Sequence, residues 1–567
     1  MQDEPQNQPD LPSEPQSPPS EEPAITPSVT PVVPPAATPE SPIPSVNSAP
    51  KKGGIKAKFI SVLVLVLIVI GAIIGYRLHT TNQQTNNDKK DIPYLTYGFQ
   101  DSGDMTPTYP VNSANSSDVT MVDAQLFEGL VRYQDQIKIQ PALATSWSNP
   151  NNTTWIFNLR HGVQFHTGRT MTAADVKYSL EYAINNQGQD SNSTILSLAS
   201  GINQVSVINP YEVKITTDSP DAVLLNQLAN LYIVDSKAKL GDPNAGTGPY
   251  SVKPGSVKPN ATTLDLVAFN NYWGGHVYTR AVHFEELPTV EQLVKATIAG
   301  KVDMTGAGDF TTQQLATIKA QSKFYQPITI ADLGVTYLEL NVDRAGSPLQ
   351  SLAARQAATY ALSIPTILKA GGLTGTQVSQ VIPQTLPGYD PSIKNTPYDP
   401  AKAKQLLATV PNAAAPLVLY YGSGDEGQVG AIAKELNAVG FNVKVVGLSD
   451  FTTFLNQMSN GQGDMFYLSY DTNTLDGLDM INNTVANTQN YSSAELTSLI
   501  SQAGSTIDPT ARIAILQKIE GLVASNIPTI PLFTQTRTYT LTKPYVINVN
   551  LPGGTDTGTY LYQVYQK

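Results

Sequence analysis

Cysteine is absent from all 567 residues, which removes disulfides, thiolate metal sites and catalytic thiols together. Histidine is scarce, with five residues, and none falls in an H-x-x-x-H or H-E-x-x-H spacing. His161 and His166 lie five apart beside a turn, where a polar ring more often serves the fold than a metal. No G-x-S-x-G is present, so a hydrolase would lack its nucleophile, base and orienter. Basic residues are outnumbered, with 35 Lys and Arg against 46 Asp and Glu and a net charge of −11. That balance argues against a nucleic-acid partner, and no basic helix-turn-helix is seen.

Positive charge is missing from the N-terminus in particular. Residues 1–50 contain no Lys or Arg, several Asp and Glu, and about fifteen prolines. Such a composition buries too little apolar surface to offset the chain entropy lost on folding. Residues 1–55 are therefore expected to form a disordered, acidic tail. Pro-rich segments also dock SH3-type grooves, but a solvated tail explains the composition more simply. The charge then changes abruptly. Lys51, Lys52, Lys56 and Lys58 precede about eighteen uncharged, mostly apolar residues, Phe59 to Tyr76. That is close to the ~20 residues a helix needs to cross a bilayer core, and the run is apolar on every face. Only Arg77 stands close behind it, so the positive-inside rule puts residues 1–55 in the cytoplasm and everything after Tyr76 outside. A cleaved signal peptide would need an unusually long n-region, and no A-x-A site follows the run. The expectation is a single-pass helix over 56–77 in the cell membrane and a polar linker over 78–92. So short a tail weighs against a cytoplasmic signalling module, and hence against a sensor.

The remainder is too long for one domain of roughly 100–200 residues. Its first clear unit runs from Val131 to Ile184. Trp155, Phe157 and Leu159 alternate with Thr154, Ile156 and Asn158, the period-2 pattern of a strand with one buried face. His161-Gly162 and Thr167-Gly168 punctuate a compact loop. Thr172 and Asp175 have the spacing of a capping box, and Val176, Leu180, Ala183 and Ile184 follow at helical spacing. Further on, VSVINPYEVKIT (Val205 to Thr216) alternates on both sides of Asn209-Pro210, as a hairpin would.

From Leu417 onward strands and helices take turns: LVLYYGS, QVGAIAKELNAV stopped by Gly440, FNVKVVGL, DFTTFLNQMSNG and DMFYLSY. Helices of this length between strands imply a parallel sheet with right-handed crossovers. Ligands of such sheets bind beyond the carboxyl ends of the strands. Ser423-Gly424-Asp425, Ser449-Asp450 and Tyr470-Asp471 occupy that position. Asp425, Asp450, Tyr470 and Asp471 are therefore candidate ligand contacts. For Asp471 the competing role is to cap the loop that follows.

LFEGLVRY, PALATSW, W-x-F-x-LRHGVQFHTG and MTAADVKYSLE, in this order, resemble the signature block of the family 5 extracellular solute-binding proteins. These are the peptide- and nickel-type receptors of ABC importers. GTGPY at Gly246 to Tyr250, YWGG at Tyr272 to Gly275 and YDPAKAKQLL at Tyr398 to Leu407 extend the resemblance over nearly all of residues 93–545. Tyr250 and Trp273 lie in these fragments; as ligand platforms they compete with core packing, where large aromatics usually go first. LAARQAATYALSIPTIL departs from the family at Ser363, where Asp is usual, a difference at a local cap. Many bacterial members are held by an acylated cysteine. With none here, the apolar span would replace the lipid anchor.

The resemblance implies an α/β, two-lobed, periplasmic-binding-protein-like (class II, Venus-flytrap) ectodomain that binds and delivers without catalysis. Lobe I would comprise 93–333, completed by 530–567, and lobe II 334–529. VTYLELN and IPTIPLFTQTRTYTLT would be the crossings. In peptide-binding relatives an Asp shortly after a Trp pairs with the ligand's α-ammonium. Asp471 matches that acid, and the Trp appears only as Tyr470. Within QNYSSAELTSLISQA, Tyr491 lies near the cleft in the same pattern. The implied partners are a peptide ligand and the permease and ATPase subunits of an importer. The receptor would be a monomer with no catalytic residue, metal ligand or cofactor. Nickel chelates, haem and oligosaccharides stand as alternative ligands.

Overall fold

The computed structural model describes residues 89–567 except 101–106, 108, 110–116, 135–136, 188–193, 259–261, 307, 473, 487–490, 492 and 548–559. The expected tail and the expected membrane helix at 56–77 lie outside the described residues. Among the described residues, no helix is long and apolar enough to cross a membrane.

β1 (Leu95–Gln100) opens the fold with Leu95, Tyr97 and Phe99 buried. β2 (Val131–Gln134) and β3 (Lys138–Pro141) pair antiparallel. β4 (Ala144–Asn151), β5 (Thr154–Leu159), β6 (Ile202–Asn209) and β7 (Glu212–Thr217) form a separate antiparallel sheet in the order β4-β5-β7-β6. The alternation in β5 is realised, since Trp155, Phe157 and Leu159 are all buried. The helix Ala173–Asn185 adds Val176, Leu180 and Ala183 to the same core. At its start the Thr172 amide donates to Asp175 Oδ2 at 2.9 Å, which satisfies an otherwise orphaned donor. Asp175 does more than cap. Together with Asp235 it holds Arg169, whose Nε donates to Asp235 Oδ1 at 2.7 Å, and this fixes the compact loop against the helix. His166 Nε2 donates to the Gly248 carbonyl at 3.0 Å, and burial holds its ring down to about 4. His161 stacks on Tyr211 with centroids 3.8 Å apart. Both rings serve the fold.

The main sheet gathers β1 with β8 (Tyr250–Val252), β9 (Thr263–Ala268), β10 (Ala281–Leu287) and β11 (Met304–Thr305). To these it adds β12 (Gln326–Ala331), β13 (Val335–Leu340), β14 (Gly375–Gln377) and β15 (Pro416–Gly422). It ends with β16 (Asn442–Leu448), β17 (Met465–Tyr470) and β18 (Thr529–Leu541). The order is β16-β15-β17-β13-β18-β11-β1-β10-β9-β8, with β12 and β14 also paired to β18. β15 runs parallel to both β16 and β17, as the strand–helix alternation predicts. The helix Glu426–Val439 follows β15 and stops at Gly440, whose φ of 118° is a left-handed conformation that favours glycine.

β18 belongs to both halves of this sheet. Thr529 to Phe533 pair with β13, and Thr536 to Leu541 pair with β12. Between these pairings the two chains stay laced: the Asp332 amide donates to the Gln535 carbonyl at 2.9 Å, and Thr534 Oγ1 donates to the Gly334 carbonyl at 3.0 Å. One apolar core, including Tyr97, Leu266 and Phe284, lies on one side of this crossing. Another, including Leu338, Leu419 and Leu436, lies on the other.

The helix Pro509–Asn526 fixes the segment after β17 and the segment after β14 through one buried group each. Arg512 is bidentate to Asp476 at 2.6 Å on both arms, with the two side chains 8% and 4% exposed. Glu520 Oε1 accepts from the Ile382 amide at 2.7 Å, and burial pushes its carboxyl up to about 8. Removing one partner of a buried ion pair strands the other charge, so Arg512→Met should lower unfolding free energy by about 3–5 kcal/mol in urea titrations. For Glu520 the folded-state value lies above the unfolded one, so its contribution is intact below the ordinary carboxyl range and is lost as pH rises towards about 8. Glu520→Gln should therefore gain in melting temperature over wild type between pH 5 and 8. An equal difference at both pH values would contradict this assignment.

Candidate functional site

The carboxyl ends of β15, β16 and β17 lie side by side, and each of the four acids and tyrosines read there has a definite place. Asp425 is the residue before the helix Glu426–Val439, and Gln428 Nε2 donates to its Oδ1 at 3.3 Å. Burial, then the Glu426 charge, push the Asp425 carboxyl up to about 6. Asp450 caps the helix Phe451–Ser459, accepting from the Thr453 amide at 2.7 Å. Tyr470 donates to Asp479 Oδ1 at 3.0 Å, and Thr472 Oγ1 donates to the other Asp479 oxygen at 2.8 Å. Tyr491 is half-buried against the core that contains β5. The Asp471 side chain reaches across to another strand of the main sheet.

Asp471 meets the crossing of the two sheet halves. Arg537, on β18, donates from Nη2 to Asp471 Oδ2 at 2.8 Å and from Nε to Asp332 Oδ2 at 2.6 Å. Asp332 is 3% exposed, whereas Arg537 is 26% and Asp471 36% exposed. The inner acid is thus sealed in, and the outer one faces solvent. Gly334 makes this approach feasible. A Cβ there would stand 1.7 Å from Asp471 Oδ1, so no other residue fits without displacing the carboxylate. Burial, followed by the Asp332 charge, push Asp471 up to about 6 against the pull of Arg537. Two carboxylates sharing one guanidinium leave negative charge uncompensated, and an incoming cation would relieve it. Arg537 also lines a cavity of about 200 Å³ with Asp309, Thr312, Gln314, Thr374 and Thr536.

Three residues beyond Asp471, the Thr474 carbonyl accepts from Tyr133 Oη and from Asn226 Nδ2, both at 2.8 Å. These bonds bring the β2 region against the segment after β17. Sequence reasoning did not find Asp332 or Arg537. The available signal was slight: Arg537 is the sole charged residue in IPTIPLFTQTRTYTLT. Tyr250 and Trp273 are placed by packing. Tyr250 is buried with its hydroxyl on the Thr279 carbonyl at 2.9 Å. Trp273 Nε1 donates to the half-buried Glu128 at 2.7 Å. Among the described residues, no group of three or more His, Asp or Glu is disposed to hold a metal ion.

Comparison with known proteins agrees with this architecture. A haem-binding protein A of Haemophilus influenzae is 28% identical over 319 residues, covering 50% of this chain. The matched stretch spans 56% of that relative, little more than half its length. A glutathione-binding protein of Escherichia coli K12 is 24% identical over 457 residues, covering 74% of this chain and 86% of the relative. Among solved structures, an ABC transporter-associated periplasmic binding protein of Helicobacter pylori in complex with the peptide STSA superimposes with a TM-score of 0.65 at 19% identity. That alignment covers 85% of this chain and 99% of the other, and it shows that the two share the two-lobed α/β fold. Residues 138–492 match the bacterial extracellular solute-binding proteins, family 5 Middle, and with more than half of its length inside that match the chain belongs to this family of substrate-binding proteins.

Proposed function

We propose that the chain is a membrane-anchored receptor of an ABC importer, and that it captures di- or oligopeptides by their α-ammonium group at Asp471. In this reading residues 59–76 hold the protein in the cell membrane, with residues 1–55 in the cytoplasm. Lobe I is 93–333 with 530–567, and lobe II is 334–529. The lobes close on the ligand and present it, as a monomer, to the permease, whose ATPase subunits lie on the cytoplasmic side. The observation that carries the reading is the charge excess at the crossing of the lobes, where Asp332 and Asp471 share Arg537. Asp471 is the more exposed of the two carboxylates, and a ligand ammonium beside it would form a charge-assisted bond. The glutathione-binding relative and the peptide-bound structural neighbour support a peptide ligand, and the haem-binding relative supports haem as the second reading. Tyr470, Tyr491, Asp425 and Asp450 belong to the walls of the same cleft in this reading. The two N-cap acids would act through the helices they start rather than by direct contact.

A ligand that binds only the folded state raises the melting midpoint, by about 2.7 kcal/mol of stabilisation at a hundredfold excess over Kd. The full chain should therefore shift upward with a di- to pentapeptide pool and not with the same pool N-acetylated. Asp471→Ala should abolish the shift. A shift with both pools would remove the α-ammonium from the account, and a shift in the variant would remove Asp471. Affinity should also depend on pH. The ammonium needs Asp471 ionised, so binding should hold above about 6 and weaken by up to tenfold for each pH unit below it. A flat profile from pH 7 to 5 in fluorescence titrations would contradict that anchor.

A further inference from the structure

We propose that Arg537 sets the charge specificity of the anchor, so that the site accepts an N-terminus with one ammonium and turns away one that carries two adjacent cations. This rests on the reading of Asp471 as the ammonium anchor and names which peptides it would take. Arg537 is not a surface lysine that happens to lie nearby. Its Nε is committed to the sealed Asp332 at 2.6 Å, and its Nη2 to the half-exposed Asp471 at 2.8 Å. The aliphatic part of the side chain rests beside Gly308, where a built Cβ would lie 3.4 Å from Arg537 Cδ. The guanidinium is thus held from both ends, and it cannot leave the anchor without abandoning a buried carboxylate.

The consequence is a fixed positive charge within hydrogen-bond distance of the oxygen that an ammonium would seek. One ammonium on Asp471 neutralises what Arg537 leaves over. A second cation a few bonds away meets the guanidinium with no further unpaired carboxylate among Asp332 and Asp471 to offset it. Like charges at such distances repel strongly in a partly desolvated site. An arginine here therefore acts as a filter, where a neutral residue would leave an attractive, doubly negative pocket. Asp309 lines the adjoining cavity with Arg537 and would attract the second ammonium, so the ratio measured below reads the net of that attraction and the guanidinium's repulsion.

The test compares 2-aminobutyryl-Ala-Ala with 2,4-diaminobutyryl-Ala-Ala, which differ by one γ-ammonium. Calorimetric titration of the full chain should give tighter binding of the monocationic peptide. In Arg537→Gln the ratio of the two affinities should move towards the dicationic peptide by about tenfold or more. Arg537→Lys, which keeps the charge, should retain the wild-type ranking. The double variant Arg537→Gln with Asp332→Asn restores the charge count and should restore the wild-type ratio, which a change of shape alone would not do. If wild type binds the monocationic peptide and the ratio is unmoved in Arg537→Gln, Arg537 has no part in charge selection and the anchor at Asp471 survives. If wild type binds neither peptide, the anchor fails and this inference fails with it. Should Arg537→Gln not fold, the Asp332→Asn single variant decides: its ratio should move further towards the monocationic peptide, and no movement would overturn the proposal.

Discussion

One antiparallel pairing organises this molecule: β18 against the nearly continuous run of β12 and β13. A single strand thirteen residues long is shared by both halves of the main sheet, so the halves meet along backbone hydrogen bonds rather than along a face of side chains. A pivot of this kind resists sliding, because a slip of one residue would exchange the two faces of β18 and break its register with both β12 and β13. It tolerates bending, which needs small dihedral changes at a few positions. Pairing with β18 gives way to individual bonds at Asp332 to Gly334, while Thr534 and Gln535 opposite remain paired with β14.

The charge cluster sits at that pivot, and the placement follows from the strand geometry. Asp332 stands where β12 gives way to β13, Arg537 lies in the part of β18 paired with β12, and Asp471 directly follows β17, the strand beside β13. Gly334 leaves the space through which the Asp471 carboxylate enters. A cation bound here would touch groups from both crossing chains and from one lobe. Its binding energy would therefore differ between lobe arrangements, which is the condition for a ligand to drive closure.

Much of this was legible beforehand, and the exceptions have a common cause. The parallel order of β15, β16 and β17 followed from alternating strands and helices, and the strand and capping box around Trp155 and Thr172 followed from local spacing. The caps at Asp399 and Asp508, each before a proline, are made to the Lys402 and Ala511 amides. A topological rule also located Asp425, Asp450 and Asp471. It did not say whether each carboxylate turns to the helix behind it, as Asp450 does, or across the sheet, as Asp471 does. Asp332 and Arg537 were missed because they are 205 residues apart and meet only through strand register. The pair Asp476 and Arg512 escaped because it depends on how one helix packs on another, and Asp476 announces only its cap, at the Leu478 amide. Local chemistry can be read from neighbouring letters, whereas ion pairs that depend on long-range pairing cannot.

The central claim is that a ligand ammonium takes up the charge on Asp471. The most direct measurement is the number of protons released when the peptide pool binds at pH 6, obtained by calorimetry in two buffers of different ionisation enthalpy. With Asp471 pushed up to about 6 in the free protein, binding should expel about half a proton there and almost none at pH 8. Binding that leaves proton number unchanged at pH 6 would mean that the ligand does not ionise Asp471, and the anchor would have to be sought elsewhere in the cleft.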